Sequence, residues 1–327
     1  MQIVQPVDED MWWDVARKCE YATFFHTPLW HKLATQTFPE YKDVTVGIIF
    51  NNGTHAILPL LEMKKFKGLG RVVLSSFASC YGDLIADDPI TIADRSSVYQ
   101  YITASRYIGI QIAGNPIYCQ PGLGGKLVGK EDFTTILSLD SSFDTLFSNF
   151  SKGHKSSFKK GVRMNVSVRQ AHSLDDYYDY YGAYQDSLKR WGEKATSQYP
   201  WALFEKGFYL AQKYPENIKL WLAIVEERVI AGAWVFYWNQ HVDWWHGAAY
   251  ADYFDHYPNN VLQTKVIKDA LEKGYKYYDF NPSGGHENVA RFKSRFGAQK
   301  WPVPRWEYEH QGMYWGRKIK GKLYRGR

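Results

Sequence analysis

The sequence predicts an α/β protein of the α+β kind, built from two consecutive domains that each contain a mixed sheet. Its 327 residues are more than one compact core usually needs and suffice for two. The first half is predicted to contain, in this order, helices, a strand hairpin, a further helix and a strand. The second half repeats this order, which is typical of an α+β unit. We therefore predict domains at residues 1–135 and 136–310, followed by a basic tail at 311–327.

The first domain is predicted from its turn residues and its hydrophobic spacing. Asn51, Asn52 and Gly53 form a sequence typical of a tight turn, and they separate two strand-forming segments at 43–50 and 55–63. The other elements follow from periodicity, with helices at 8–19, 29–37 and 92–108 and strands at 71–77, 108–113 and 134–139.

The second domain is predicted in the same way. A hairpin turns at Glu227 and Arg228, and a helix that begins at Asn260 should end at Gly274, because Asn is a favourable N-cap and Gly a favourable C-cap. The remaining elements are helices at 143–150, 175–191 and 200–213, strands at 165–169, 218–226, 229–238, 242–249 and 275–280, and an edge strand at 305–309.

Composition and charge restrict the class of protein. The net charge of +6 is modest but unevenly distributed, with basic clusters at 152–163 and 317–327. Such clusters favour phosphates, RNA or an anionic membrane surface, or they are ordinary solvated faces. Three cysteines lie far apart without metal-binding spacing, so neither a disulfide framework nor a zinc site is predicted. The first residues lack the apolar core of a signal peptide and no apolar run could span a bilayer, so we expect a cytoplasmic protein.

Motifs for metal and nucleotide chemistry are missing. The segment 124–130 has the Gly and Lys spacing of a phosphate loop, but Glu131 stands where that loop needs Ser or Thr. His241 and His246 are separated by an odd number of positions, so a regular strand would place them on opposite faces. No metal site is predicted.

The segment 274–297 is the strongest candidate for chemistry. An aromatic strand leads into a loop with Pro282 and two glycines, and a helix follows. On that helix Lys293 cannot share the apolar line of Val289 and Phe296, so it must project beside Phe292, toward the loop or the solvent. Lys293 is therefore the leading candidate for a catalytic charge.

The segments 244–250, 258–262 and 274–280, together with Phe292-Lys293 and Phe296-Gly297, resemble the Fem-type (FemAB) aminoacyltransferases. They are equally similar to the acetyltransferase-like domains of the GNAT superfamily. The resemblance is clearest over 143–297 and weaker over 1–140. It implies two tandem GNAT-like domains, each a mixed, largely antiparallel sheet flanked by helices. It also implies acyl transfer to an amine, with an aminoacyl-tRNA as the Fem donor and a peptidoglycan precursor as the acceptor.

The resemblance also suggests roles for individual residues. Lys293 would stabilise the oxyanion that forms during acyl transfer, and Phe292 would exclude water from it. Arg190 would bind a phosphate of the acceptor, or it is an ordinary helix-end arginine. Four further substrate-binding candidates lie on strand ends or loops: Tyr250, His246, Asn281 and His286. The alternative for His246 is an ordinary hydrogen-bonded strand histidine, and for His286 it is an ordinary turn residue. His246 would be the general base in principle.

The sequence leaves open which acyl donor the protein uses and whether it is an enzyme. GNAT enzymes hold acyl-CoA with a Gly-rich loop, but the equivalent segment 251–260 contains no glycine and carries Asp252 and Asp255, which disfavours CoA. No resident cofactor is therefore predicted. An acyl-CoA-dependent acetylation of an amino sugar is one alternative. The other is a non-catalytic binding protein for RNA or an anionic surface, using a phosphate-binding patch of Lys155, Lys159, Lys160 and Arg163. DNA is not an expected partner, and the tail would give only weak contact with a membrane.

Overall fold

The structure is a computed structural model that describes residues 1–68, 70–118, 123, 126–192, 195 and 198–310. It contains two compact units. The first comprises residues 1–132 and the returning segment from residue 302, and the second comprises residues 133–301. The predicted basic tail, 311–327, lies outside the described residues.

Both units contain helices and strands. The helices are α1 (Glu9–Lys18), α2 (Pro28–Thr37), α3 (Ile92–Ala104), α4 (Phe143–Asn149), α5 (Lys152–Arg163), α6 (Leu174–Trp191), α7 (Trp201–Lys213), α8 (Pro258–Glu272) and α9 (Glu287–Ser294). The strands are β1 (Gln2–Val4), β2 (Tyr41–Asp43), β3 (Val46–Ile49), β4 (His55–Leu58), β5 (Leu61–Lys65), β6 (Gly70–Leu74), β7 (Ile85–Ala86), β8 (Gly109–Ala113), β9 (Val128–Lys130), β10 (Phe133–Ser138), β11 (Ser167–Gln170), β12 (Ile218–Val225), β13 (Arg228–Trp238), β14 (His241–Ala249), β15 (Tyr277–Asp279), β16 (Gln299–Pro302) and β17 (Arg305–Glu309).

The first unit contains two sheets. Four antiparallel strands form one of them, in the order β1-β3-β4-β7. The other has six strands, in the order β2-β5-β6-β8-β17-β9. Its β6–β8 pair is parallel, and its other pairs are antiparallel.

The second unit is built on a seven-stranded sheet with the order β11-β12-β13-β14-β15-β10-β16. The pairs from β11 to β14 are antiparallel, as is the β15–β10 pair. Between them β14 and β15 are parallel. The predicted fold class, mixed and largely antiparallel sheets flanked by helices, is confirmed.

The last described strand departs from prediction. The sequence suggested an edge strand at 305–309 within the second domain, but β17 lies between β8 and β9 in the first unit's sheet. It pairs with β8 along its whole length, from Arg305 opposite Ala113 to Glu309 opposite Gly109. Residues 302–310 thus belong with the first unit, because strand pairing with residues far away in sequence determines their position.

Helix α8 covers one face of the seven-stranded sheet in the second unit. Pro at its first position is favourable because that backbone nitrogen needs no acceptor, and Gly274, with φ +79°, follows the helix end. Leu262, Val266 and Ile267 of α8 are buried in one cluster with Val242 and Tyr278 of the central strands. This packing fixes β14 and β15 beneath the helix.

Among the described helices, none combines the length and the apolar composition needed to cross a membrane.

Candidate functional site

The parallel pair β14 and β15 separates after a short contact. Three residue pairs form it, ending with Asp243 opposite Asp279. There β15 ends, whereas β14 continues along β13 to Ala249. Ligands of open α/β sheets commonly bind at the carboxyl ends of strands, where neighbouring strands diverge. The candidate site is therefore the end of β15 and the loop that follows it.

A β-bulge lies in β14 beside this point. Trp244 pairs with Val235 and His246 with Trp234, so Trp245 is an additional residue. The bulge shifts the alternation of side chains by one position. His241, opposite Trp238, and His246, opposite Trp234, consequently lie on the same face of the sheet. The prediction of opposite faces was wrong because it assumed a regular strand.

Lys293 projects from α9 into the loop after β15. Its Nζ donates to the carbonyl oxygen of Asn281 at 2.6 Å and to that of Pro282 at 3.2 Å. The ammonium also lies 5.9 Å from the ring centroid of Trp244, within the range of a cation–π contact. Only 4% of the Lys293 surface is exposed. The sequence predicted that Lys293 projects toward either the loop or the solvent, and in the structure its side chain points to the loop.

Burial alters the acidity of Lys293. Removal from water disfavours the charged form and lowers the pKa of the Lys293 ammonium to about 8, while the carboxylate of Asp279 opposes this shift. The side chain is therefore still mainly protonated at neutral pH. It supplies a positive charge in a site largely shielded from water, where electrostatic stabilisation is strongest.

Phe292 packs near two aromatic rings, those of His154 and Trp244. Its ring lies 4.9 Å from the His154 ring and 6.5 Å from that of Trp244. The Nε2 of His154 is 3.0 Å from the Phe292 carbonyl oxygen; a carbonyl can only accept, so this nitrogen carries the proton. Burial lowers the pKa of His154 to about 4, so it is neutral. His154 thus joins α5 to the helix that carries Lys293.

Asn281 has two unusual features. Its backbone is left-handed, with φ +58°, a conformation that Asn tolerates better than most residues. Its side chain is buried, with 6% exposure, yet neither Oδ1 nor Nδ2 has a hydrogen-bond partner among the described residues. Buried polar atoms without a protein partner are usually satisfied by an ordered water or a ligand, because leaving them unpaired is costly. The amide of Asn281 could bind a carbonyl or amine of a substrate.

A buried ionic cluster supports this loop. The imidazole of His241 lies between two carboxylates, with Nδ1 3.1 Å from Asp243 Oδ2 and Nε2 3.3 Å from Asp279 Oδ2. Burial alone would lower the pKa of His241, but Asp243 and Asp279 raise it to about 10, so the ring is an imidazolium. Asp279 Oδ1 also accepts from the Thr134 hydroxyl at 2.5 Å and from the Asn281 backbone N–H at 2.7 Å.

Arg190 and Tyr250 lie together near the end of β14. Arg190 donates to the Ala249 carbonyl at 3.4 Å and to Asp186 at 3.1 Å, and its guanidinium lies 4.7 Å from the Phe254 ring. The Tyr250 hydroxyl rests against Gly182 of α6, where a Cβ atom would lie 2.4 Å from it. Both predicted substrate-binding residues therefore lie where α6 packs on the end of β14.

His286 connects the loop after β15 to helix α6. It is the N-cap residue of α9, and its ring lies 4.8 Å from that of Trp191, next to Arg190 in sequence. The structure thus links the Lys293 loop to the end of α6 through His286 and Trp191.

His246 has a different environment. Tyr180 Oη is 2.6 Å from its Nδ1, and the rings of Tyr184, Tyr199 and Phe204 surround it at centroid distances between 4.8 and 5.8 Å. Burial lowers the pKa of His246 to about 4. It is neutral at physiological pH and weakly basic, which makes it an inefficient general base.

The predicted phosphate-binding patch lies on α5. Lys159, Lys160 and Arg163 are exposed, and Lys155 is half-buried with its Nζ 2.7 Å from the Ser148 carbonyl. The ammonium of Lys160 lies 5.5 Å from the ring of Tyr257, just before α8. No acidic residue occurs within α5, so this face of the helix has one sign of charge.

Sequence reasoning missed the ionic cluster and His154. His241 and Asp243 are two residues apart on one strand and therefore share a face. Asp279 stands within the aromatic strand that the sequence did highlight. The pairing of β14 with β15, which brings them together, has no local signal.

Comparison with known proteins identifies a similar domain family and several structures of similar fold. Residues 148–294 match the family described as acetyltransferase (GNAT) domain. The structure of FemX superposes with a TM-score of 0.70 at 12% identity, covering 96% of this chain and 99% of that chain. The C-terminal domain (DUF2156) of a proposed lysylphosphatidylglycerol synthetase from Agrobacterium fabrum gives 0.56 at 11% identity, covering 91% of each chain. L-PGS from Bacillus licheniformis gives 0.52 at 10% identity, covering 82% and 84%.

A search of curated protein sequences finds no significant match. Identities this low show a shared fold and nothing finer. The family match adds that residues 148–294, most of the second unit, are similar to an acetyltransferase (GNAT) domain. The resemblance inferred from the sequence is confirmed: the chain has the fold of FemX and related GNAT proteins, and its second unit matches the acetyltransferase (GNAT) domain family.

Proposed function

We propose that the protein is an acyltransferase that forms an amide bond on an amine of a cell-envelope precursor, with an aminoacyl-tRNA as donor and a peptidoglycan precursor as acceptor. The observation that carries the proposal is the buried ammonium of Lys293 at the point where β14 and β15 diverge. Attack of an amine on an acyl carbonyl places negative charge on the carbonyl oxygen. A fixed cation in a site shielded from water stabilises that charge most effectively.

Neighbouring groups fit the same reaction. The backbone carbonyl of Asn281 accepts from the ammonium, and its side-chain amide, which has no hydrogen-bond partner among the described residues, could orient the acyl carbonyl or the attacking amine. The guanidinium of Arg190 could hold a phosphate of the acceptor in two places. The likeness to FemX, and to a domain of a proposed lysylphosphatidylglycerol synthetase, supports an aminoacyl group as the unit transferred.

A second candidate is an acyl-CoA-dependent N-acetyltransferase. The match of residues 148–294 to an acetyltransferase family favours it. Against it, segment 251–260 contains no glycine. Much of it forms a 3₁₀ helix, Ala251–His256, that carries two carboxylates at the place where CoA phosphates would bind.

A donor assay separates the two. Purified protein is given charged tRNA with a UDP-linked muropeptide in one arm, and acetyl-CoA with amino sugars in the other, and the products are identified by mass spectrometry. Aminoacylated muropeptide is expected in the first arm. Product only in the second arm would reassign the protein to the CoA-dependent class, and product in neither arm would contradict both.

A further inference from the structure

We propose that His241, Asp243 and Asp279 form a buried carboxylate–imidazolium–carboxylate chain that positions the Asn281–Pro282 turn, and through its carbonyls the ammonium of Lys293. This inference deepens the proposed function, since the charge of Lys293 matters for catalysis only if the protein is an acyltransferase. The three residues act through Lys293 rather than on a substrate, and are therefore positioning residues.

The chain is continuous from the sheet to the lysine. Asp243 contacts His241 at 3.1 Å, and His241 contacts Asp279 at 3.3 Å. Asp279 accepts from the Asn281 N–H at 2.7 Å, and the Asn281 carbonyl accepts from Lys293 at 2.6 Å. Each link is within the distance of a hydrogen bond or an ion pair.

The charges of this chain depend on one another because all three side chains are buried. His241, Asp243 and Asp279 have no exposed surface, and a buried charge is tolerated only when it is paired. At neutral pH the two carboxylates are balanced by one imidazolium and one ammonium. Removing one of the three leaves a buried charge without its counterion, and removing Asp279 also takes away the carboxylate that favours the charged form of Lys293.

The backbone of Asn281 explains why a support is needed. The left-handed conformation of Asn281 costs less for Asn than for most residues, but it still persists only where its surroundings hold it. The carboxylate of Asp279 accepts from the N–H of that residue, and the resulting turn aims two successive carbonyls at Lys293. Thr134, from β10, fixes the same carboxylate oxygen from the other side.

The same three side chains could also ligate a metal, because one donor atom of each lies within 4.8 Å of the others. The geometry favours the ionic chain. The two carboxylates face different nitrogens of one ring, so in this arrangement an ion bound to either nitrogen would have the other carboxylate on the far side of the ring.

The test uses readouts that need no substrate. The pKa of Lys293 is measured in the free protein by competitive labelling with acetic anhydride and mass spectrometry. Asp279→Asn should lower it by about one unit or more, because an opposite charge at this range raises a lysine pKa. In His241→Gln, amide hydrogen exchange at Asn281 should accelerate about tenfold or more as the charged hydrogen bond weakens.

His31→Gln is the matched control. His31 is also fully buried beside a carboxylate, 3.6 Å from Asp43, but in the first unit. The His31→Gln substitution should reduce the stability of the protein without changing the labelling of Lys293 or the amide hydrogen exchange of Asn281. Should Asp279→Asn fail to fold, Asp243→Asn removes the outer carboxylate and is expected to accelerate exchange at Asn281 in the same way.

Unchanged labelling and unchanged exchange in folded variants would overturn the inference, even if turnover is found. So would one equivalent of zinc in the purified protein that is lost in His241→Gln. Once a donor is known, His241→Gln should also lower kcat about 10- to 100-fold with KM nearly unchanged. Failure to find any donor would contradict the proposed function alone, because the labelling and exchange results stand independently.

Discussion

The ammonium of Lys293 is held 2.6 Å from the carbonyl of Asn281, a residue whose left-handed backbone aims that carbonyl into the protein. Lysine side chains are seldom buried, because taking their charge out of water is costly. Here the cost is offset by two carbonyls, an aromatic face and a nearby carboxylate. A cation so constrained is suited to stabilise negative charge that develops in a reaction.

Lys293→Met should abolish most turnover while leaving the fold intact. Methionine keeps most of the length of the side chain and removes its charge. Loss of one oxyanion-stabilising group typically costs about 100- to 1000-fold in kcat. Steady-state kinetics with the donor identified by the donor assay provide the measurement. Circular dichroism that matches the wild type is the control, and wild-type kcat in the folded variant would remove Lys293 from the mechanism.

The same residue should make stability depend on pH with a predictable sign. The pKa of Lys293 is about 8 in the folded protein, below its ordinary value of 10.5. Between these values the unfolded chain binds more protons, so the wild-type free energy of unfolding gains a contribution that rises with pH. The cost of burying the charge is fully present below pH 8, where it reaches about 3 kcal/mol at most.

Lys293→Met removes this contribution. The stability of the variant relative to the wild type should therefore fall as the pH rises from 7 toward the pKa of the unfolded chain, because only the wild type gains the pH-dependent contribution. Urea titrations of both proteins at neutral and at alkaline pH measure it. A difference that stays constant over this range would show that Lys293 does not titrate as a buried group.

Gly182→Ala should displace Tyr250. An added Cβ would lie 2.4 Å from the Tyr250 hydroxyl oxygen, so the ring must move. If Tyr250 contacts the acceptor, KM for the acceptor rises, whereas the fold is retained because Ala favours helix by about 1 kcal/mol over Gly.

Tyr250→Phe provides the internal control, since it removes the oxygen that clashes. Gly182→Ala should have little additional effect on KM in the Tyr250→Phe background, which is non-additivity of contacting residues. Equal effects of Gly182→Ala in both backgrounds would show that it acts elsewhere.

The basic face of α5 should contribute to binding of charged tRNA. Lys159→Glu combined with Lys160→Glu replaces two exposed cations. Affinity should fall, and the slope of log K against log salt should flatten by roughly one for each phosphate that the variant no longer neutralises. Lys64→Glu with Lys65→Glu, two exposed lysines of β5 in the first unit, is the matched control. An equal loss in the control would indicate attraction by net charge alone.

Local patterns predicted much of the second unit. The apolar spacing of α8 and the glycine after it located that helix, and the aromatic strand, loop and helix around Lys293 were predicted from residues that are neighbours in sequence. The exclusion of Lys293 from the apolar line of its helix made it the leading candidate. That it is buried rather than solvated depends on Trp244 and Asn281, which belong to other elements.

The sequence by itself thus determined the class of fold, most of the helices and strands, and the single lysine with the strongest case for chemistry, because each depends on side-chain periodicity and backbone preferences over a few residues. Only the tertiary structure decided that β17 completes the first unit's sheet, that a bulge at Trp245 places His241 and His246 on one face, and that His241 joins Asp243 to Asp279. These features arise from pairing between distant strands, and hydrogen bonds between distant strands leave no periodic trace in the residues that make them.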